Sequence, residues 1–294
     1  MDVQELVDRA EERLLKSRAL DHWQAGRERI DAEDLITHVI GDRWKPSDEV
    51  SSGRARRFWG LVERHFRGEP IPQIVGYMEF RGMKLAARPG VFVPRESSEF
   101  LALQAIRRIS RRTRPVAVDV ATGSGPVALA VAKAVRGVEV HGTDFSPRAV
   151  AVARANARRL GIPARFHQGD LFAALPRRLA GAVDVVTLHP PYVGKRELRE
   201  LPLEVLRFEP VDSLTDHSPR GLGLIGRVAL EAPVWLKPDG WVLIEVSPDR
   251  ARAVATVLRR AGYSDVRSTK GGLAVTRVIT GRGGRRARSA RQRA

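Results

Sequence analysis

The stretch Val116-Ala117-Val118-Asp119-Val120-Ala121-Thr122-Gly123-Ser124-Gly125-Pro126 limits the fold more than any other in this chain. Val116 to Val120 is a short apolar run rich in β-branched residues, the composition of a strand covered on both faces. Gly123 and Gly125 allow backbone angles and close approach that a Cβ would block. Pro126 suits the first helical position, where its missing N–H is no loss, and the spacing predicts a helix over Val127 to Val135. Strand, glycine turn and helix in this order bring backbone donors to the carboxyl edge of a sheet, where a ligand can be held. A glycine turn without a ligand is the plainer reading. Val138 to Asp144 reads as the next strand, with Asp144 at its carboxyl end, placed to accept hydrogen bonds from both hydroxyls of a ribose. The plainer reading there is a surface Asp capping the helix after Pro147.

The β/α rhythm continues downstream. Ala164 to Gln168 is a third strand leading into Gly169-Asp170-Leu171. Val183 to Leu188 is a fourth, stopped by His189-Pro190-Pro191-Tyr192. A loop runs to about Ser218, then a helix passes through Gly226 to Leu230, a fifth strand covers Gly240 to Val246, and a helix covers 249–261. Ser264 to Ser268 and Leu273 to Ile279 are joined at Lys270-Gly271-Gly272, a link short enough to require an antiparallel hairpin. The sheet should therefore be mostly parallel with an antiparallel edge pair. Upstream, residues 2–16 have helical spacing, Asp31-Ala32-Glu33-Asp34 opens a second helix, and Ser51 or Ser52 caps a third with Phe58, Leu61, Val62 and Phe66 on one face. Glu69 to Gly76 breaks the helical pattern. Tyr77 to Leu85 reads as a hairpin around Arg81-Gly82, and Phe100 to Ile109 as a helix. The expected organisation is a helical front domain over 1–68, a hairpin linker over 69–90, the α/β domain over 91–281 and a disordered tail over 282–294.

The formal charge is +17, and Gly281 to Ala294 holds six arginines and no acid, which leaves +11 on the body once those six are removed. Such a surface could serve a polyanion or be generic solvated charge. There is no cysteine, which excludes disulfides, thiolate metal sites and Cys nucleophiles. The seven histidines lack the spacing of a metal site, and none is expected. The polar, acidic start is unlike a signal peptide and no apolar run is long enough to span a bilayer, so a cytoplasmic protein without membrane contact is expected.

His189-Pro190-Pro191-Tyr192 closes its strand at the same carboxyl edge as the glycine turn. Two prolines stiffen the corner and remove N–H donors, so the carbonyls of His189 and Pro190 are left to accept. Tyr192 offers a flat face to a planar group or a cationic methyl. Such a corner suits a planar amino or amide group whose nitrogen is held toward an electrophile, the geometry of a methyl transfer. A rigid Pro-Pro loop with Tyr192 against the sheet is the plainer alternative.

The D-x-x-T-G-S-G run and a Pro-Pro-Tyr corner at this separation resemble the Rossmann-like class I S-adenosylmethionine-dependent amino methyltransferases. Gly68-Glu69-Pro70-Ile71-Pro72-Gln73-Ile74-Val75-Gly76, Val93-Pro94-Arg95-Glu96-Ser97-Ser98-Glu99, Gln168-Gly169-Asp170 and Phe208-Glu209-Pro210 narrow the resemblance to the release-factor glutamine methyltransferases, over about residues 1 to 280. That resemblance implies an α/β fold with a seven-stranded, mostly parallel sheet, a small helical domain and a hairpin linker. It implies S-adenosyl-L-methionine as cofactor and a peptide-chain release factor as partner. Ala121, Thr122, Gly123, Ser124 and Gly125 would wrap the methionine end of the cofactor. Asp144 would hold the ribose, Asp170 and Leu171 would flank the adenine, and Glu99 would sit near the amino-acid end. His189, Pro190, Pro191 and Tyr192 would hold the substrate nitrogen. Three departures stand out. Ala121 replaces the first glycine, a change tolerated if its φ is negative, and Glu96-Ser97 disturbs the P-R-P-E-T-E pattern. His189 replaces an Asn whose amide could pair with a carboxamide at two points, whereas a neutral imidazole could instead take a proton from a more acidic N–H or an O–H. Transfer to a small molecule, a peptide or a nucleobase in RNA, with RNA or ribosome contact through the basic surface and tail, and cofactor binding without catalysis stay open beside protein glutamine.

Overall fold

The structure, a computed structural model, describes residues 1–22, 26–271 and 276–283. Helices α1 (Val3–Leu14), α2 (Arg27–Ile40), α3 (Ser52–Phe66) and α4 (Ile71–Val75) come first. The hairpin β1 (Tyr77–Phe80) and β2 (Met83–Ala86) follows, then α5 (Ser98–Ile109), β3 (Val116–Val120), α6 (Pro126–Ala134), β4 (Glu139–Asp144), α7 (Pro147–Leu160), β5 (Arg165–Gln168) and β6 (Val183–Leu188). The chain ends with α8 (Leu203–Phe208), α9 (Gly223–Trp235), β7 (Leu236–Val246), α10 (Ala251–Arg260), β8 (Ser264–Lys270) and β9 (Arg277–Arg282). No helix of the described residues is long and apolar enough to cross a membrane.

One compact unit gathers Met1–Tyr77, Ala87–Gly90 and Arg199–Pro210. Val3, Leu6, Val7, Ala10 and Leu14 line the inner face of α1 at helical spacing and meet Leu35 and Ile36 of α2 and Phe58 and Val62 of α3. Asp2 caps α1 by accepting the Glu5 N–H at 2.8 Å. α2 starts at Arg27, one turn ahead of the expected Asp31, and Arg27 there donates to both carboxylate oxygens of Glu204 at 3.1 Å each. The segment read from sequence as loop thus carries helix α8 and belongs with the front helices. Residues 69–76 likewise contain a helical turn, α4, with Pro72 in its first turn. These units divide the chain differently from the expected boundaries at 68 and 90, because the strands of the hairpin fall mostly in the second unit.

The second unit holds Met78–Ala86, Val91–Leu198 and the described residues from Val211 on. Its seven-stranded sheet has the order β5-β4-β3-β6-β7-β9-β8. The first five strands are parallel, and β9 is antiparallel to both β7 and β8. Both faces are covered: Val118, Val120, Val186, Leu188, Val242 and Ile244 meet α9 and α10 on one side. Ala117, Val185 and Leu243 meet α5, α6 and α7 on the other. The seven-stranded α/β class expected from sequence is the one observed. The link after Gly271, the first residues of the strand expected from Leu273 and all but the start of the arginine-rich tail lie outside the described residues.

Two buried polar side chains fasten this sheet at the glycine turn. Asp119 on β3 accepts from the Thr122 hydroxyl in the turn and from the Thr187 hydroxyl on β6, both at 2.6 Å. Asn156 on α7, fully buried, accepts the Ala86 N–H at 2.8 Å and donates to the Ser124 carbonyl at 3.1 Å. Burial pushes the Asp119 carboxyl up to about 6, against the opposing pull of the two hydroxyls. The folded-state pKa thus lies above the unfolded value of about 3.9. Stability from this group is fully present below that unfolded value and is lost as pH rises through about 6. Asp119→Asn cannot ionise. Denaturant unfolding from pH 4 to 7 should show the native chain losing roughly 2 kcal/mol relative to that variant. Parallel profiles would show that the carboxyl titrates at its ordinary value.

Candidate active site

Parallel register assembles the site. Val120 of β3 stands opposite Thr143 of β4 and Leu188 of β6, Leu188 stands opposite Ile244 of β7, and Asp144 stands opposite Gln168 of β5. The next residues along the strands form one row at the carboxyl edge: Asp144, Ala121, His189 and Glu245. The glycine turn and the Pro-Pro corner, 66 residues apart when counted from Gly123 to His189, therefore leave the sheet on neighbouring strands.

The turn itself departs from expectation at Ala121. Its φ is +53°, in the left-handed region, not negative. An alanine there carries a strain of roughly 1–2 kcal/mol that a glycine would not. The Thr122 N–H continues the ladder to the Thr143 carbonyl at 2.9 Å, and the Gly125 N–H returns to the Thr122 carbonyl at 2.9 Å. Gly125 has φ +88°, and a Cβ on it would meet the Phe166 ring at 2.9 Å. Gly123, at φ +57°, would point a Cβ into open space.

Asp144 is nearly buried and holds the turn, accepting the Gly123 N–H at 2.8 Å and the Ser146 N–H at 2.9 Å. Burial raises its carboxyl, and those two N–H groups work against the rise. Asp170 lies on the surface and pairs with Arg227 of α9 at 2.7 Å. The Leu171 side chain is buried in the core, so its backbone is what remains at the rim. Glu99 spends its carboxylate on the hairpin, accepting the Arg81 N–H at 2.6 Å. The residue beside it, Ser98 at the start of α5, faces the site instead.

His189 is ringed on several sides. Its Nδ1 lies 3.1 Å from the Ser98 hydroxyl and 4.0 Å from a carboxylate oxygen of Glu245. Tyr192 stacks on the imidazole with centroids 6.1 Å apart, and Phe92 meets it edge-on at 5.8 Å. Desolvation pushes the His189 pKa below its ordinary value; Glu245 opposes the shift and Arg95 adds to it. Pro190 and Pro191 are buried, and the corner is held from the far side by an antiparallel bridge between Tyr192 and Thr215.

The backbone and the polar groups fit S-adenosylmethionine. Apart from its chain neighbours, nothing would lie within 4 Å of a Cβ on Gly123, and an acid able to accept from ribose hydroxyls stands next to it. The Ser124 and Thr143 hydroxyls are buried with no partner among the described residues. No group of three His, Asp or Glu side chains gathers to hold a metal among those residues.

Sequence reasoning missed Glu245, Ser98, Asp119 and Asn156. An acid inside the apolar run Trp241-Val242-Leu243-Ile244-Glu245-Val246 was the available signal, since a carboxylate rarely enters a covered strand without a task. Phe145, next to Asp144 and 57% exposed, is a second missed surface at this rim. Replacing Ala121 by glycine should raise stability by up to about 1 kcal/mol, the left-handed strain less the entropy of a glycine. A thermal or denaturant midpoint measures it, and a loss of stability would contradict the strained conformation.

A model of a methyltransferase domain matches residues 117–208. The chain is 36% identical over 261 residues to the release factor glutamine methyltransferase of Bordetella pertussis, covering 87% of this chain and 95% of that protein. It is 35% identical over 266 residues to the enzyme of the same name from Burkholderia pseudomallei, covering 86% and 91%. Among solved structures, a methyltransferase from Pyrococcus furiosus superimposes with a TM-score of 0.53 at 19% identity, over 69% of this chain and 90% of that one, which is a likeness of fold. With identity at this level spread over nearly the whole length of such relatives, the chain belongs to the release factor glutamine methyltransferase family.

Proposed function

We propose that the protein moves a methyl group from S-adenosylmethionine to the side-chain amide nitrogen of a glutamine in a peptide-chain release factor. The observation that carries this reading is the single rim on which Asp144, the glycine turn and the His189–Tyr192 corner stand on adjacent strands. The name shared by relatives covering 95% and 91% of their own length points the same way. When bound, the cofactor supplies an electrophilic methyl on a sulfonium. Ala121 to Gly125 would hold its methionine end, Asp144 its ribose, and the backbone at Asp170 and Leu171 its adenine.

The acceptor amide is planar. The Pro190 carbonyl accepts one of its N–H groups, and Tyr192, already stacked on His189, offers the second wall of a slot. Holding the reacting atoms roughly 3 to 3.5 Å apart supplies much of the rate. His189 gives the amide one ring nitrogen in place of the two-point contact of an Asn. The front helices would serve to dock the protein substrate, with the chemistry carried by 91–281. The basic body supports an acidic or ribosome-bound target, and a release factor as partner calls for a cytoplasmic enzyme.

The test is incubation of the full chain with labelled S-adenosylmethionine and the release factor of the same cell, followed by mass spectrometry of the peptides. One methyl on a glutamine amide is expected. Asp144→Ala should weaken cofactor binding by at least about tenfold, since a hydrogen bond to a charged group is worth roughly 1.5–3 kcal/mol. Label in nuclease-sensitive material would move the substrate to RNA, and tight cofactor binding without label anywhere would leave a binding module.

A further inference from the structure

The Glu245 carboxylate is completely buried, and neither of its oxygens has a hydrogen-bond partner among the described residues. An isolated buried carboxylate is costly, so its retention calls for a counter-charge that arrives during function. A group able to become one is His189, with Nδ1 at 4.0 Å. That spacing is too long for a hydrogen bond and is within ion-pair range once the ring is protonated. Strand register explains the pairing: Leu188 and Ile244 are partners, and His189 and Glu245 are the next residues. With Nδ1 turned to Ser98 and Glu245, the tautomer protonated at Nδ1 leaves the Nε2 lone pair for a substrate.

We infer that His189 and Glu245 act as a proton-accepting pair, with His189 the base at Nε2 and Glu245 the positioning residue that fixes its tautomer and balances its charge. This rests on the proposed acceptor being an N–H group. As the acceptor nitrogen bonds to the methyl carbon and the carbon–sulfur electron pair stays with sulfur, Nε2 takes the proton that leaves nitrogen. The imidazolium then faces Glu245, and the proton passes to water after product leaves. The charged and titratable groups facing this ring are Glu245 from β7, Arg95 from the segment before α5 and Tyr192 from the corner. Asp249 and Arg250 also act electrostatically on Tyr192.

The test is a nuclear magnetic resonance titration of the His189 ring in the full chain without cofactor, in the native protein, Glu245→Gln and Glu245→Asp. Gln keeps the shape and removes the charge. Its His189 pKa should fall further and the population protonated at Nδ1 should drop, while Asp should stay nearer the native behaviour. An unchanged titration in Glu245→Gln overturns the pairing whatever the substrate proves to be. In methyl transfer, the acidic limb of the kcat profile should follow the ring pKa: to lower pH in Glu245→Gln, with a reduced plateau and KM within about twofold, and absent in His189→Asn. An acidic limb retained in His189→Asn overturns the role of base. A titration that shifts as expected in a chain that never methylates glutamine would instead count against the proposed substrate and leave the pair standing.

Discussion

Parallel pairing with a fixed register is the constraint on which the rest depends. Five strands run in one direction, so their carboxyl ends, and the loops that leave them, share one edge. Because side chains alternate, Asp119, Thr187 and Leu243 lie toward α5, α6 and α7, and the residues two places on from Thr187 and Leu243, His189 and Glu245, continue along that side. A slip of one residue between β6 and β7 would separate them and send side chains packed against one helix layer toward the other. The buried apolar rows on both faces make such a slip expensive, so the same packing that holds the sheet also places the site.

Two buried acids organise the backbone of the glycine turn. Asp119 joins the turn to β6 through two threonine hydroxyls, and Asp144 joins the turn to the start of α7 through two N–H groups. Each commits one lone pair of each oxygen to the scaffold, so the glycine turn is set before any ligand arrives. Asn156 repeats the device with an amide, reaching from a helix to the Ser124 carbonyl. The positive φ of Ala121 is held by this surrounding network rather than by its own preference. Glu245 differs from the others in having no hydrogen-bond partner among the described residues.

The imidazole at position 189 sits in the most closely built part of the site, between two aromatic rings, a serine hydroxyl and a carboxylate. A ring there cannot reproduce the paired donor and acceptor of a side-chain amide. It brings an ability that an amide lacks, a nitrogen that gains and loses a proton near neutral pH. Desolvation lowers the ring's pKa and so favours the neutral form, which is the form a base must have.

Much of this was legible in the amino-acid order. The apolar run 116–120, the turn at Gly123 and Gly125, the alternation of strands and helices and the short link after Lys270 determined a mostly parallel sheet with an antiparallel end. They also determined that Asp144 and the Pro-Pro corner lie at its carboxyl edge, because local pattern and chirality leave few other ways to wind such a chain. Helix α8 and the start of α2 were not legible, since they are stabilised by the Arg27–Glu204 pair between residues far apart in sequence. Nor could spacing say that Ala121 is left-handed, that Glu99 turns to the hairpin while Ser98 turns to His189, or that Glu245 stands beside the imidazole. Periodicity reports which face a residue occupies. Which partner it meets there depends on how strands register and helices settle across the sheet, and only the folded chain decides that.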